Sequence, residues 1–338
     1  MNVLLKPGKL LDEHGELIAS GFAFDLVKEY RKSDVIHLNK LKEINRYYIF
    51  NDHFAVSLVI SSSEKVSFVD VCFDDFDENV SYSRSRVKYF EQSRVVMTPS
   101  SKIGSIEFIK KDFSVEVYNN FTERRIIFAM KNIAFKKDFY CAFTLNETTN
   151  GTSVVACKFE ENDEFLYNQK INCVKAKGYC NIGSRHYEFD ERTSRACIDW
   201  IRAVFPKHDI EYNYVSASGV IEGIETGFCF SQGLGDTRYG TSNMVFYDNH
   251  ACKLDDVEIK PMSKHHTYSR DWEIKSQDDK VELVFTPIDN MTSNVNTLYE
   301  KIGRRIIFGT FNGHIMFDED KIEIKKLNGF IEINNNKY

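Results

Sequence analysis

Phe113-Ser114-Val115-Glu116-Val117 alternates apolar and polar side chains with a period of two. That is the pattern of a strand with one buried face. Val281-Glu282-Leu283-Val284-Phe285 and Ile322-Glu323-Ile324-Lys325 repeat it. Turn signals fall between such runs: Asp12-Glu13-His14-Gly15, Thr149-Asn150-Gly151, Asp248-Asn249 and Asn312-Gly313. Asn-Gly is the strongest of these for a hairpin. Helical periodicity is scarce, and its best stretch, Asp25 to Lys32, is short. With 27 Phe, 17 Tyr and only 5 Pro, the chain reads as all-β, its antiparallel strands forming barrels or sandwiches.

The chain has 338 residues, 42% hydrophobic and 28% charged. That is enough to bury a sizeable core, and it exceeds the about 150 residues of one average domain. The pentamer Arg124-Arg125-Ile126-Ile127-Phe128 recurs as Arg304-Arg305-Ile306-Ile307-Phe308, which suggests two related β-units or a coincidence of strand composition. The charged stretch Glu160-Glu161-Asn162-Asp163-Glu164 marks a boundary between Glu160 and Ala176. The expected units are residues 1–168 and 169–338.

Net charge is −6, so nothing global draws the chain to nucleic acid or an anionic membrane. Arg84, Arg86 and Lys88 alternate and read as one solvated strand face. No stretch approaches the ~20 apolar residues of a membrane span, and no integral membrane association is expected. The N-terminus, Met1-Asn2-Val3-Leu4-Leu5-Lys6-Pro7-Gly8, lacks the apolar region of a signal peptide, so a cytoplasmic location is expected. There the eight cysteines, none spaced C-x-x-C, act as small apolar residues. The sequons at Asn79, Asn120, Asn146, Asn150 and Asn290 are then inert.

Several segments in fixed order carry a family resemblance. They include Tyr187-Glu188-Phe189-Asp190, Asp199-Trp200-Ile201-Arg202, Ser216-Ala217-Ser218-Gly219 and Gly233-Leu234-Gly235-Asp236-Thr237. Thr241-Ser242-Asn243, Gly309-Thr310-Phe311-Asn312-Gly313 and Gly329-Phe330-Ile331-Glu332 follow, and Leu41-Lys42-Glu43 extends the likeness into the N-terminal half. The chain resembles a bacterial family of unknown function, number 2804, grouped with lipocalin-like proteins of the hydroxyneurosporene synthase, tocopherol cyclase and AttH type. The resemblance implies two lipocalin-like β-units packed together and no established activity. In the wider group it implies large apolar substrates such as isoprenoids, without an obligatory metal. Where the family carries further Trp, this chain has Tyr212 and Tyr214, and it ends in Tyr338 where relatives end in Trp.

Four places offer chemistry. Trp200 and Arg202 project from one face of a strand, about 6–7 Å apart, while Asp199 points the other way toward a different cation. An Arg–indole pair of this kind either closes a barrel end, as the lipocalin likeness implies, or contacts a ligand. Tyr212, Tyr214, Ser216 and Ser218 also share one face, too polar for a dry core, which suits a cavity lining or a solvent-facing strand. Gly233-Leu234-Gly235-Asp236 lacks the following Lys-Ser/Thr of a phosphate loop, and with Asn243 it reads as a barrel-mouth loop. His186 and Glu188 lie two apart on one face and suit general acid–base work if buried.

No metal site and no cofactor are expected. The adjacent His265-His266 face opposite sides of a strand. Asp74-Asp75-Phe76-Asp77-Glu78 lacks the order of a calcium loop and reads as a solvated loop. The leading functional reading is binding of an apolar or amphipathic small molecule in a barrel or between the units. Trp200, Tyr212 and Tyr214 would form aromatic walls, and Arg202, Ser216, Ser218 and Asn243 a polar end. A cofactor-independent hydratase, isomerase or cyclase, with Asp199, Asp236 or Glu188 as acid, is the second reading. A structural protein with filled barrels is the third. Oligomeric state is open.

Overall fold

The computed structural model describes residues 2–147, 151–265 and 267–338. The Thr149-Asn150 turn signal, the sequon at Asn150 and His266 lie outside them. Strands take 65% of the residues and helical segments 4%, so the chain is all-β.

The strands are β1 (Gly8–Lys9), β2 (Gly21–Ala23), β3 (Lys28–Glu29), β4 (Leu41–Phe50), β5 (Phe54–Ser62), β6 (Val66–Asp75), β7 (Val80–Tyr89) and β8 (Ile103–Ile109). Next come β9 (Phe113–Asn120), β10 (Glu123–Ala134), β11 (Lys137–Asn146), β12 (Thr152–Lys158), β13 (Phe165–Ile182), β14 (Arg185–Phe189) and β15 (Arg195–Val204). A second group follows: β16 (Ile210–Ile221), β17 (Ile224–Gln232), β18 (Met244–Tyr247), β19 (His250–Lys253), β20 (Val257–Pro261), β21 (Trp272–Ser276), β22 (Val281–Asn296), β23 (Lys301–Phe317) and β24 (Asp320–Lys337).

The first sheet runs β7-β6-β5-β4-β15-β13-β11-β10-β9-β8, with β2, β12 and β14 attached. The second runs β19-β18-β17-β16-β24-β23-β22-β21-β20. Each curls into a half-barrel. Arg86 and Lys88 of β7 reach Asp112, beside the β8–β9 turn, and draw together the two ends of the first. The amide of Ile259 in β20 donates to Gln232 at the end of β17 in the second. The change of sheet falls between Val204 and Ile210, where Pro206 cannot continue a ladder. The charged stretch from Glu160 is the β12–β13 hairpin turn, and β13 stays in the first sheet.

Each curl encloses its own apolar core. Phe108, Val117, Phe128, Phe139 and Phe143 fill the first, and Val215, Phe228, Phe230, Phe285 and Phe311 fill the second. The two curls pack back to back. All ten residues of β4 are buried because both of its faces are covered. Tyr47 and Ile49 enter the first core, while Tyr48 and Phe50 join a cluster with Tyr214 and Phe330 of the second sheet.

Three local expectations are corrected. Asp25 to Lys32 does not form a helix, because Lys28 and Glu29 are captured by parallel pairing with Gly8 and Lys9, and a single 3₁₀ turn begins at Lys32. Asn312-Gly313 is not a turn but a register shift inside β23. Gly313 is required there: its φ is +134°, and a Cβ would come 2.2 Å from the Glu282 carbonyl. Asp74 and Asp75 are not in a solvated loop; they close β6 and are buried.

Candidate functional site

The 199–202 segment sends its side chains to alternate faces of β15. Trp200 and Arg202 turn into the first half-barrel, with the guanidinium 4.2 Å from the indole centre. Tyr30 and Tyr167 meet the indole edge-on, at 6.2 and 5.6 Å between ring centres. Arg202 donates to the Thr98 carbonyl at 2.7 Å and to Asn45 at 3.1 Å. Arg124 donates to the Ser101 carbonyl at 2.9 Å. Two buried guanidiniums thus hold the connection between β7 and β8 across the barrel end.

Asp199 turns to the opposite face. It accepts from Lys170 at 3.0 Å and Asn168 at 2.6 Å, and lies 3.7 Å from Arg46. Strand register places Lys170, Asp199 and Arg46 side by side. The second sheet answers with Arg304 and Glu332. Arg46 reaches Glu332 at 2.9 Å, Arg304 reaches it at 2.8 Å, and Tyr48 donates to it at 2.9 Å. Arg304 also donates to Asp70 at 3.1 Å, and Ser293 to the same carboxylate at 2.8 Å. Three cations and three carboxylates therefore form one buried layer between the sheets. Burial alone would raise the Glu332 carboxyl, but Arg304 and Arg46 outweigh it and hold it down to about 2. Burial raises Asp70, with Arg304 opposing.

The 212–218 face closes the same layer. Lys170 Nζ sits 3.5 Å from the centre of the Tyr214 ring. Tyr48 stacks on Phe330 at 4.3 Å. Burial pushes the Tyr212 phenol up to about 12. Ser216 donates to Asn172 and, at 3.0 Å, to the Cys197 sulfur, and Ser218 accepts from the Cys173 amide at 3.0 Å. The four side chains share one face, as the two-residue period requires, and that face is covered by the first sheet. Several atoms in and beside the layer have no hydrogen-bond partner: Tyr214 Oη, Asp70 Oδ1, Arg46 Nε and both amide atoms of Asn334. A cleft of about 510 Å³ lies on the other face of β16, β23 and β24, lined by Asn213, Arg305, Ile333 and Asn335 with Tyr268 alongside.

The remaining candidates lie apart from this layer. Asn243 accepts from the Ser231 amide and donates to the Asp255 carbonyl, tying loops together. Asp236 caps the short turn at Thr237–Tyr239 and binds Arg238. Gly235 has φ +72° and its missing Cβ would meet the Cys157 sulfur at 2.4 Å, so close packing explains the glycine. His186 and Glu188 do share a face, on the outside of the first sheet, in an open cleft of about 700 Å³ with Arg125, Lys177 and Tyr179. His186 Nδ1 lies 2.7 Å from Asn181. Among the described residues no group of three or more His, Cys, Asp or Glu is placed to hold a metal ion. Nor is any helix long and apolar enough to cross a membrane.

Sequence reasoning missed Arg46, Asp70, Arg304 and Glu332. A signal existed: Arg46 and Asp70 are lone charges inside strands buried on both faces, Ile44–Ile49 and Val69–Val71.

Curled antiparallel sheets packed back to back define a lipocalin-like protein of two half-barrels. More particularly, residues 2–338 match the family model of a domain of unknown function, DUF2804, and the chain belongs to that family. Among solved structures it is similar to kievitone hydratase from Nectria haematococca, with 10% identity, TM-score 0.51 and 88% of each chain covered. It is also similar to CghA with Sch210972, with 8% identity, TM-score 0.52 and coverage of 98% of this chain and 97% of that one. An AttH-type protein from Nitrosomonas europaea gives 9% identity, TM-score 0.52 and coverage of 87% and 91%. At such identities the likeness is one of fold. No curated protein matches in sequence.

Proposed function

We propose that the protein binds an apolar or amphipathic small molecule at the layer between the two sheets. One observation carries the reading: partnerless polar atoms gather beside a wall of aromatic rings. Tyr214 Oη, Asp70 Oδ1 and Arg46 Nε are all buried, and the rings of Tyr48, Tyr214 and Phe330 adjoin them. Buried polar groups normally find partners, so such a concentration calls for a polar group from outside the chain. An apolar body with a few fixed polar points is the composition of small-molecule sites. Trp200 and Arg202 take the barrel-closing role in this reading. The fold supports it, since CghA is seen with Sch210972.

A second reading has its own support. Asp70 and Glu332 both contact Arg304, yet one carboxyl is raised and the other lowered. Carboxyls driven apart in this way suit an acid and its ionised partner. Kievitone hydratase shares the fold. A cofactor-independent hydration, isomerisation or cyclisation at this layer is therefore the alternative.

The experiment is native mass spectrometry of protein purified from its own host, with organic extraction of bound material. A stoichiometric organic compound, lost in Tyr214→Phe, supports binding. A clean mass in both proteins favours a structural role with filled half-barrels.

A further inference from the structure

Asp74 closes β6 with its side chain fully buried, and neither carboxyl oxygen meets a hydrogen-bond donor. Its neighbour is a second carboxyl, Asp289 of β22, on the other sheet and within hydrogen-bond reach. Asp289 follows the register shift of β22, which leaves Ile288 out of the ladder. Among the described residues no cation acts on Asp74. The residues paired with Asp74 are Ala55 of β5 and Ser81 of β7. The residue paired with Asp289 on β23 is Phe308, and the amide of Asn290 donates to Asp289 Oδ1 at 2.7 Å. The further charge facing the pair is Asp75, also negative. Arg304 of the layer between the sheets is engaged by Asp70 and Glu332.

Two carboxyls held together without a cation attract only when they share a proton. We propose that Asp74 and Asp289 form a proton-dependent clasp joining the two sheets at this end of the seam, so that loss of the shared proton loosens their contact. The clasp stands independently of any ligand at the layer. Beside it, the Phe76 and Phe308 rings meet across the same seam at 5.7 Å between centres. Breaking the clasp would therefore expose an aromatic contact.

The direction with pH follows from the burial. Burial first, and Asp289 second, push the Asp74 carboxyl up to about 8, far above an ordinary aspartate. The closed seam keeps the proton that the open seam releases. Opening therefore becomes easier as pH rises from the ordinary aspartate range toward 8, by up to about tenfold per pH unit, and levels off above. Stability from the clasp is greatest at the acid end of that window and is lost toward its alkaline end.

The test is hydrogen exchange at Phe73–Phe76, corrected for intrinsic base catalysis, together with thermal midpoints between pH 5 and 9. The whole chain is used, as wild type, Asp74→Asn and Asp289→Asn. An amide donates permanently where the shared proton did. Wild type is expected to open more and melt lower as pH rises to 8; Asp74→Asn gives a flat profile, and Asp289→Asn, in which Asp74 is still buried, a shallower one. Parallel profiles in wild type and both variants overturn the clasp. Should one variant fail to fold, the other still carries a test: a slope unchanged from wild type in Asp74→Asn, or in Asp289→Asn, overturns the clasp.

Discussion

Arg46 of the first sheet reaches Glu332 of the second at 2.9 Å, and neither side chain touches solvent. The contact joins strands almost three hundred residues apart in sequence. Glu332 also takes bonds from Arg304 and Tyr48, so it is the hub of the layer. Glu332→Gln keeps the shape and removes the charge, leaving Arg46 and Arg304 short of a counter-charge. Loss of one partner of a buried ion network costs about 3–5 kcal/mol. The folded carboxyl titrates at about 2, below its ordinary value. Its contribution is therefore present in full above the ordinary glutamate range and is lost as pH falls through about 2. Urea unfolding at pH 7 should show the loss in the variant. The gap between variant and wild type should narrow as pH falls below 4. An equal gap at both pH values would exclude the ionised hub.

The Arg202 guanidinium covers the Trp200 indole and holds the Thr98 carbonyl. Arg202→Met keeps apolar bulk over the ring but leaves that carbonyl without its donor and Glu43 with Lys32 as its cation. A cost of about 2–4 kcal/mol is expected from the lost charge-assisted bonds. Exchange protection should fall first in the β7–β8 connection, at residues 94–102. Retained protection there would mean that the connection closes the barrel without the arginine.

Much of this was legible in the sequence. The two-residue period placed Asp199 opposite Trp200 and Arg202, and it put Tyr212, Tyr214, Ser216 and Ser218 on one face. What that face would meet was not legible, because a second sheet covers it and local pattern carries no information about distant packing. The phenols and hydroxyls looked too polar for a core; in the fold they border a layer of buried charge. The repeated pentamer shows the same limit. Arg124 points into its own half-barrel toward Glu147, whereas Arg304 points out of its half-barrel toward the other sheet. Identical residues therefore occupy opposite faces, which only register against neighbouring strands could decide.

Removing the Tyr214 hydroxyl separates packing from binding. The oxygen is buried and has no partner, so Tyr214→Phe deletes a polar atom that the fold leaves unsatisfied. Stability should stay within about 1 kcal/mol of wild type or rise, since an unpaired buried hydroxyl is a cost. Retention of the host-derived compound, read by native mass spectrometry, should fall. Unchanged retention would place the ligand elsewhere.

Seven of the eight cysteines are buried, and Cys252 is half-exposed. Burial raises Cys72, Cys173, Cys180 and Cys229 well above an ordinary thiol. The reactive species is the thiolate, so these groups should be silent toward a soluble disulfide reagent at pH 8. The native protein should release the equivalent of Cys252 alone, and Cys252→Ser should remove that signal. Denaturation should reveal all eight. Several fast thiols in the native state would mean that the seam between the sheets opens readily.

The glycine-rich loop offers a test of packing against ligand binding. A Cβ at Gly235 would lie 2.4 Å from the Cys157 sulfur, and the backbone there has φ +72°. Gly235→Ala therefore meets both a clash and a strained backbone, and a loss of about 2 kcal/mol or more is expected. Adding Cys157→Ala removes the clash but not the strain, so thermal stability should recover only in part. Neither variant should respond to inorganic phosphate. Stabilisation of wild type by phosphate that Gly235→Ala abolishes would instead make the loop an anion site.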